Sequence, residues 1–202
     1  REKFAREFSA TSHHSLEGLL SDSNVQAVYI ASPHELHVEH TIAAAKAGKH
    51  VLVEKPMATS ISDCVAMVEE AKRQGIVLVV GPSHGFDAPV QRAAELVESS
   101  EFGEIRMVTA FNFTDFVYRP RRPEELDPNR GGGVVYSQAA HQFDVVRRIV
   151  GRPVTEITAI AGNWDASRPG DGAYTALVKF EGGIAASLTY SGYAHYDSNE
   201  LL

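Results

Sequence analysis

Short apolar runs alternate with helical stretches over the first 80 residues. Residues 25–31, 50–53 and 76–80 are apolar and rich in β-branched side chains, a pattern typical of buried parallel strands. Between them, residues 35–47 and 60–75 have helical character, and glycine stands at or directly after the end of each. This order of strand, helix, strand, helix and strand, with short joints, predicts a parallel sheet with right-handed crossovers.

The pattern changes after residue 81. Helices are predicted at residues 87–100 and 134–150, and strands at 105–113, 154–162, 173–180 and 184–193. The last two strands are joined by Glu181-Gly182-Gly183, which predicts a hairpin. The prediction is therefore an α/β chain: a Rossmann-like parallel domain at residues 1–84, then an α+β domain with a mostly antiparallel sheet at residues 85–202.

Composition and charge exclude several classes of protein. The chain has 202 residues, 44% of them hydrophobic, which argues against disorder. Its 19 basic and 26 acidic residues give a net charge of −7, which argues against nucleic acid or an anionic membrane as the main partner. No apolar run reaches the roughly 18–20 residues of a spanning helix. The single cysteine, Cys64, favours a reducing, cytoplasmic location.

Two turns of the predicted parallel sheet carry candidate chemistry. Ser32 and Pro33 follow the first strand and precede a helix, at the carboxyl edge where open sheets bind ligands. The second strand leads to Glu54, Lys55 and Pro56, and a lysine there could polarise a hydroxyl or carbonyl oxygen. The alternatives are an ordinary turn and a common surface tripeptide.

Three histidines spaced by three residues raise the question of a metal site. On a helix, His34 and His40 lie about 120° apart around the axis, so the three histidines cannot readily bind one ion together. We therefore expect no metal.

Longer stretches carry a family resemblance. VQAVYIASPHELHVEHTIAAAKAGKHVLVEKPMA resembles the nucleotide-domain core of the Gfo/Idh/MocA oxidoreductases. AAELVESSEFGEIRMV resembles their bridging helix and first sheet strand, and GGGVVYSQAAHQFDVVRRIVG resembles their glycine-led active-site helix. The resemblance covers almost the whole chain. It implies a homo-oligomeric dehydrogenase that uses NAD or NADP on a small hydroxyl-bearing cyclic substrate, with chemistry in the cleft between the domains.

The resemblance also implies roles for single residues. Lys55 acts on the reacting oxygen, and His141 accepts the hydroxyl proton. The residues that match the family's cofactor-contacting turns, together with the histidine behind them, are Ala31, Ser32, Pro33, His34, His37, Glu54, Lys55 and Pro56.

The helix that carries His141 has a polar stripe. At 100° per residue, Ser137, His141, Asp144 and Arg148 fall on one side. Such a stripe is either a substrate-facing surface or a solvated one. Asp144 either orients His141 or forms a surface ion pair. The three glycines before this helix would let backbone or ligand approach closely.

The sequence departs from the family pattern at two places. Ser137 stands where relatives often carry aspartate, and Ser83-His84-Gly85-Phe86 replaces their Asn/Arg-Arg-Phe, which makes His84 a substitute substrate contact. Two alternatives stay open. One is a non-catalytic, cofactor-bound relative, which the departure at Ser137 favours, and the other is an NAD-dependent glycosidase of the same family.

A proline-rich loop offers a clue to the substrate. Arg119, Arg121 and Arg122 could bind carboxylates, although such clusters are often solvated charge. DFVYRPRRPEELD, with VVYSQAAHQFD, resembles the phthalate 4,5-cis-dihydrodiol dehydrogenase branch, which implies a carboxylated cis-diol. The glycine-rich fingerprint and the ribose-contacting acidic residue, which would separate NAD from NADP, are both expected before Arg1. We therefore expect the chain to be the middle of a longer enzyme.

Overall fold

The computed structural model describes residues 1–198, apart from the side chain of Glu124, as two compact units. The first unit is Arg1–Gly81, and the second begins at Pro82. The boundary predicted after residue 84 lies three residues further along, so His84 belongs to the second unit. No helix within residues 1–198 is long and apolar enough to span a membrane.

The first unit is built on a three-stranded parallel sheet. Its strands are β1 (Ala27–Ile30), β2 (His50–Val53) and β3 (Leu78–Val80), in the order β1-β2-β3. Its helices are α1 (Glu2–Glu7), α2 (Leu16–Leu20), α3 (His37–Lys46) and α4 (Ile61–Gln74). Alternate residues of β1 and β2 are buried. They form the core of this unit with side chains such as Met67 of α4.

Local signals explain the ends of α4. The Ser60 hydroxyl accepts a hydrogen bond from the Asp63 backbone N–H at 3.1 Å, which caps the first turn as the spacing of the two residues predicts. Gly75 ends the helix in the left-handed conformation, with a φ of 65°. The helix therefore begins and ends where the sequence indicates.

The second unit packs helices on a four-stranded mixed sheet. Its strands are β4 (Met107–Phe113), β5 (Val154–Gly162), β6 (Ala173–Phe180) and β7 (Ile184–Ser191), in the order β4-β7-β6-β5. β4 runs parallel to β7, and the other two pairings are antiparallel. The helices are α5 (Ala88–Ser99), α6 (Pro123–Leu126) and α7 (Ala140–Val150). The predicted fold class is confirmed in both units.

The two faces of this sheet differ. On one face, alternate residues of β6 and β7, from Tyr174 to Tyr190, are buried in one cluster with Val146 and Val150 of α7. On the other face, large apolar side chains remain more than half exposed: Met107, Phe111, Ile160 and Leu177. The exposed face therefore carries an apolar surface that no element of the described chain covers.

The predicted helix at residues 134–150 is not regular. Residues Val135–Ala139 form a π-helical turn, and α7 begins only at Ala140. A π turn holds more residues than an α turn, so counting 100° per residue fails across it. The polar stripe predicted from Ser137 to Arg148 is therefore interrupted at its start.

Candidate functional site

The first candidate site lies at the carboxyl edge of the parallel sheet. Ile30 and Val53 are register partners at the ends of β1 and β2. The turns that follow, residues 31–33 and 54–56, therefore leave the sheet at the same edge. This is the edge at which open α/β sheets bind their ligands.

The His37 side chain contacts both of these turns from the protein interior. It is fully buried, and its Nδ1 lies 2.8 Å from the Pro56 carbonyl oxygen. Its Nε2 lies 3.0 Å from the Ser32 carbonyl oxygen, and His40 Nδ1 lies 3.0 Å from the Ser32 hydroxyl. The His37 side chain therefore supports the turns from behind. Within residues 1–198, no group of three His, Cys, Asp or Glu side chains is arranged to hold a metal ion.

Glu54 is held by two donors at the end of β2. The Tyr29 hydroxyl donates to Glu54 Oε1, and the Lys55 backbone N–H donates to Oε2 at 3.1 Å. The hydrogen bond to this carboxylate raises the pKa of Tyr29. Lys55 itself is half-buried and is followed by a cis peptide bond to Pro56.

The predicted cofactor-contacting residues divide into two groups by exposure. Pro56 and His37 are buried, whereas the other six side chains are exposed or half-buried: Ala31, Ser32, Pro33, His34, Glu54 and Lys55. Those six accessible residues could contact one part of a dinucleotide bound at this edge of the sheet. Pro56 and His37 would act by shaping the turns.

The second candidate site is a cavity of about 680 Å³ in the second unit. Such a volume suits a small-molecule ligand. Its polar lining includes His84, Asn112, Arg119, Arg121, His141 and Tyr190. Four of the sequence-predicted site residues, His84, Arg119, Arg121 and His141, therefore meet at one cavity.

His141 is placed by the π turn and by an unexpected cap. It is the second residue of α7. The Asp171 carboxylate accepts a hydrogen bond from the Val135 backbone N–H at 2.8 Å, at the start of the π turn. A Cβ on Gly133 would lie 2.5 Å from Asp171 Oδ1, and one on Gly132 would lie 2.6 Å from the backbone nitrogen of residue 127. Of the two alternatives for these glycines, a close approach of backbone or of ligand, the structure shows protein atoms: backbone at Gly132 and the Asp171 side chain at Gly133.

His84 lies against His141. Their ring centroids are 4.6 Å apart, and His84 Nδ1 lies 3.0 Å from Asp87 Oδ2. Because its carboxylate faces His84, Asp87 makes no side-chain hydrogen bond at the start of α5.

Three predicted substrate contacts, Arg122, Ser137 and Asp144, lie outside the cavity lining. The Asp144 carboxylate accepts from Arg147 Nη2 at 2.9 Å and from Arg148 Nε at 2.8 Å. Of the two roles left open for Asp144, the structure therefore shows the ion pair along its own helix. The Ser137 hydroxyl donates to the Gly133 carbonyl oxygen at 2.6 Å, within the π turn.

The Asp144–Arg148 pair also supports the segment that carries His84. Gly85 packs directly on both side chains, and the Arg148 guanidinium lies 4.1 Å from the centre of the Phe86 ring. Asp144 therefore influences the cavity indirectly, by holding Arg148 under the segment Ser83–Phe86.

Sequence reasoning missed two polar residues that line the cavity and tie its walls together. Gln142 Nε2 donates to the Ala110 and Thr189 carbonyl oxygens, each at 3.3 Å, and Gln142 Oε1 accepts from Tyr174 at 2.7 Å. Tyr190 shares a hydrogen bond with Thr114 at 2.6 Å, and burial raises the pKa of Tyr190. In sequence these residues look like ordinary strand and helix positions, so no pattern marked them.

Known proteins match the chain in both units. Residues 1–82 match a family model described as "Oxidoreductase family, NAD-binding Rossmann fold", and residues 90–201 match the "GFO/IDH/MocA C-terminal domain". A 1-carboxy-3-chloro-3,4-dihydroxycyclohexa-1,5-diene dehydrogenase from Comamonas testosteroni is 49% identical over 201 residues. That match covers 99% of this chain and 51% of the relative, so the chain spans about half of that protein's length.

Solved structures agree. A structure described as a dehydrogenase from Bordetella bronchiseptica has a TM-score of 0.93 and 42% identity, covering all of this chain and 53% of the other. A levoglucosan dehydrogenase, in complex with NADH and levoglucosan, has a TM-score of 0.87 and 27% identity, covering 96% of this chain and 55% of its own. With the motifs in the same order in both units, these matches show that the chain belongs to the Gfo/Idh/MocA family of oxidoreductases.

Proposed function

We propose that this chain carries catalytic residues of an NAD- or NADP-dependent dehydrogenase that oxidises a hydroxyl group of a cyclic small molecule. The substrate class includes sugars, polyols and carboxylated cis-diols. The main observation in support is the cavity that His141 lines, which has the size and polar lining of a small-molecule site. The dehydrogenase relatives and the NAD-binding family model support the same reaction class.

A bound nicotinamide cofactor supplies the hydride acceptor. The Lys55 ammonium group donates a hydrogen bond to the reacting oxygen, which favours the alkoxide character that develops as the carbon is oxidised. His141 accepts the hydroxyl proton, and its place beside His84 in a polar cavity suits a general base. The exposed and half-buried residues of the two turns, Ala31–His34 and Glu54–Lys55, contact the cofactor.

We further propose that the protein is a homo-oligomer in the cytoplasm. The apolar face of the four-stranded sheet, with Met107, Phe111, Ile160 and Leu177 more than half exposed, supports the first statement, because patches of this kind mark interfaces. The single cysteine supports the second.

The deciding experiment measures net nicotinamide reduction by the intact protein with NAD and with NADP, across a panel of cyclic diols, polyols and sugar acids. Reduction with one cofactor and one substrate class supports the proposal. Cofactor binding without net reduction across the panel would instead favour a non-catalytic relative or a glycosidase that recycles its NAD.

The roles of two residues are tested in the same assay. In Lys55→Ala, turnover should fall by about 100-fold or more while cofactor affinity changes little, because the lysine acts on the reacting oxygen. His141→Ala should lose turnover similarly, and its remaining activity should rise with pH as hydroxide replaces the base. Near-normal turnover in either variant would overturn the role assigned to that residue.

A further inference from the structure

The three arginines of the proline-rich loop have different surroundings. Arg119 lines the cavity, and two carboxylates hold its guanidinium. Nε donates to Asp115, and Nη2 donates to Asp197 at 3.1 Å. The hydrogen bond that Arg119 donates to Asp115 is the main cause that raises the pKa of Arg119. With two anions around one cation, Arg119 has little capacity left for the carboxylate of a ligand.

Arg122 points away from the cavity. Its side chain is 75% exposed, and it does not belong to the cavity lining. Its Nε lies 3.4 Å from Glu125 Oε2, and its backbone N–H donates to the same oxygen at 2.9 Å. A charge this exposed is well screened by water and contributes little to selective binding.

Arg121 differs from both neighbours. It lines the cavity, and its side chain is only 20% exposed. Its guanidinium carbon lies 3.9 Å from the centre of the Phe116 ring, which covers one face of the group. Among the described carboxylates, the nearest oxygen is Glu125 Oε1, which lies 3.7 Å from Arg121 Nη1, longer than a hydrogen bond. Among the described residues no acceptor meets the buried Nε.

Such an arrangement costs free energy unless a ligand completes it. A guanidinium is always charged and carries five N–H donors in one plane. Stacking on Phe116 occupies one face of the group and leaves Nε without an acceptor among the described residues. A carboxylate fits that plane with two parallel hydrogen bonds, a charge-assisted pairing that is stronger than a neutral one.

We propose that Arg121 selects substrates that carry a carboxylate on the ring, whereas Arg119 and Arg122 do not. This inference rests on the proposed function, since it names the substrate class of the same cavity. It assigns carboxylate binding to one of the three arginines. The grounds are the burial of Arg121, the missing acceptor at its Nε and the Phe116 ring that supports the guanidinium.

A binding experiment tests Arg121 without requiring turnover. The probes are a catechol carboxylate, which mimics an oxidised product, and the matching catechol carboxamide, both titrated calorimetrically into the intact protein. In Arg121→Met, the affinity for the carboxylate should fall by about 10- to 100-fold, the range of a lost hydrogen-bonded charge pair. The affinity for the carboxamide should stay within about 3-fold.

Arg122→Met is the matched control, because it removes the same charge from the same loop at an exposed position. It should change the affinity for either probe by less than about 3-fold. Equal losses for the carboxylate in Arg121→Met and Arg122→Met would overturn the proposal. So would equal losses of both probes in a folded Arg121→Met, since that result indicates a structural role only.

Arg121→Lys covers the case in which Arg121→Met does not fold. It keeps the charge but loses the planar donor pair, so the preference for carboxylate over carboxamide should fall by about 5-fold or more. An unchanged preference would refute the proposal. Inorganic phosphate serves as a competitor, and displacement of both probes by it would show a general anion site instead of carboxylate selection.

The two proposals fail in different ways. Net nicotinamide reduction that persists while the carboxylate preference does not depend on Arg121 refutes the inference about Arg121 alone. A preference that depends on Arg121, in a protein that reduces no nicotinamide, refutes the dehydrogenase and leaves the carboxylate site intact.

Discussion

Gly85 is the position at which one added methyl group should disturb the candidate site most. A Cβ built there would lie 2.2 Å from Arg148 Nε, 2.2 Å from Asp144 Oδ2 and 2.4 Å from Arg148 Cδ. Both side chains are fixed by their mutual hydrogen bond of 2.8 Å, and the Asp144 side chain is only 11% exposed. In Gly85→Ala, either the pair separates or the segment Ser83–Phe86 moves off α7.

The expected loss of unfolding free energy in Gly85→Ala follows from the cost of each of those two outcomes. Losing a partly buried hydrogen bond between charged groups costs about 1.5–3 kcal/mol. Overpacking that shifts backbone costs about 1–3 kcal/mol. Because the molecule takes the cheaper route, or a mixture of the two, we expect Gly85→Ala to lower the free energy of unfolding of the second unit by about 2 kcal/mol.

Urea denaturation, followed by circular dichroism, measures this change. Gly18→Ala is the matched control, because a Cβ there meets only Ser15 Oγ at 3.5 Å, an ordinary contact. That variant should be neutral or slightly stabilising, since alanine favours the helix by up to about 1 kcal/mol. A Gly85→Ala protein as stable as the unsubstituted one would refute the reasoning.

A double substitution tests the cause directly. In an Arg148→Ala background the clash with Arg148 is absent, so Gly85→Ala should cost markedly less there than in the original chain. Additive losses would show that the penalty at Gly85 arises elsewhere.

Three further predictions concern buried polar groups and a helix cap. His37→Leu should lower the free energy of unfolding of the first unit by about 1–3 kcal/mol, because the Pro56 and Ser32 carbonyl oxygens lose the polar side chain between them. His37→Gln, whose amide group can still donate to a carbonyl oxygen, should recover part of that loss, and equal losses in thermal melts would contradict this. Ser60→Ala should cost about 1 kcal/mol through the lost cap of α4, and no change in urea denaturation would contradict it. Burial raises the pKa of Tyr190, so the unfolded state ionises first and stability should fall as pH rises above about 10. Tyr190→Phe should lessen that alkaline decline in pH-dependent melts, and Tyr174, whose pKa burial also raises, should account for much of the remainder. The exposed control Tyr196→Phe should leave the decline unchanged.

Some features were predictable because they depend on neighbours in sequence. The ends of α4 follow from Ser60 and Gly75, and the strand β2 has the bounds that its apolar run predicts. The candidate turns at Ser32 and Lys55 were predictable for a related reason. In a parallel sheet all strands end at one edge, so residues that follow two adjacent strands must lie close together.

Other features depend on residues far apart in the chain, so no local sequence pattern predicts them. Asp171 caps a turn that begins 36 residues earlier, and Tyr190 reaches Thr114 across 76 residues. The role of Asp144 depends on which side chain its carboxylate contacts. Helical spacing permits contact with His141, Arg147 or Arg148, and the structure shows the two arginines. The π turn shifted the start of the polar stripe, which regular helical counting could not anticipate.

The sequence by itself determined the fold class, the family and the residue types at both candidate sites, because periodicity, caps and motif order are local properties. Only the tertiary structure decided which side chains do what. The sequence does not distinguish the three arginines that stand within four positions. In the structure Arg119 is held by carboxylates and Arg122 is largely exposed, whereas Arg121 is stacked on Phe116 and its Nε has no acceptor among the described residues. The difference is one of burial and partners, and those are set by long-range packing.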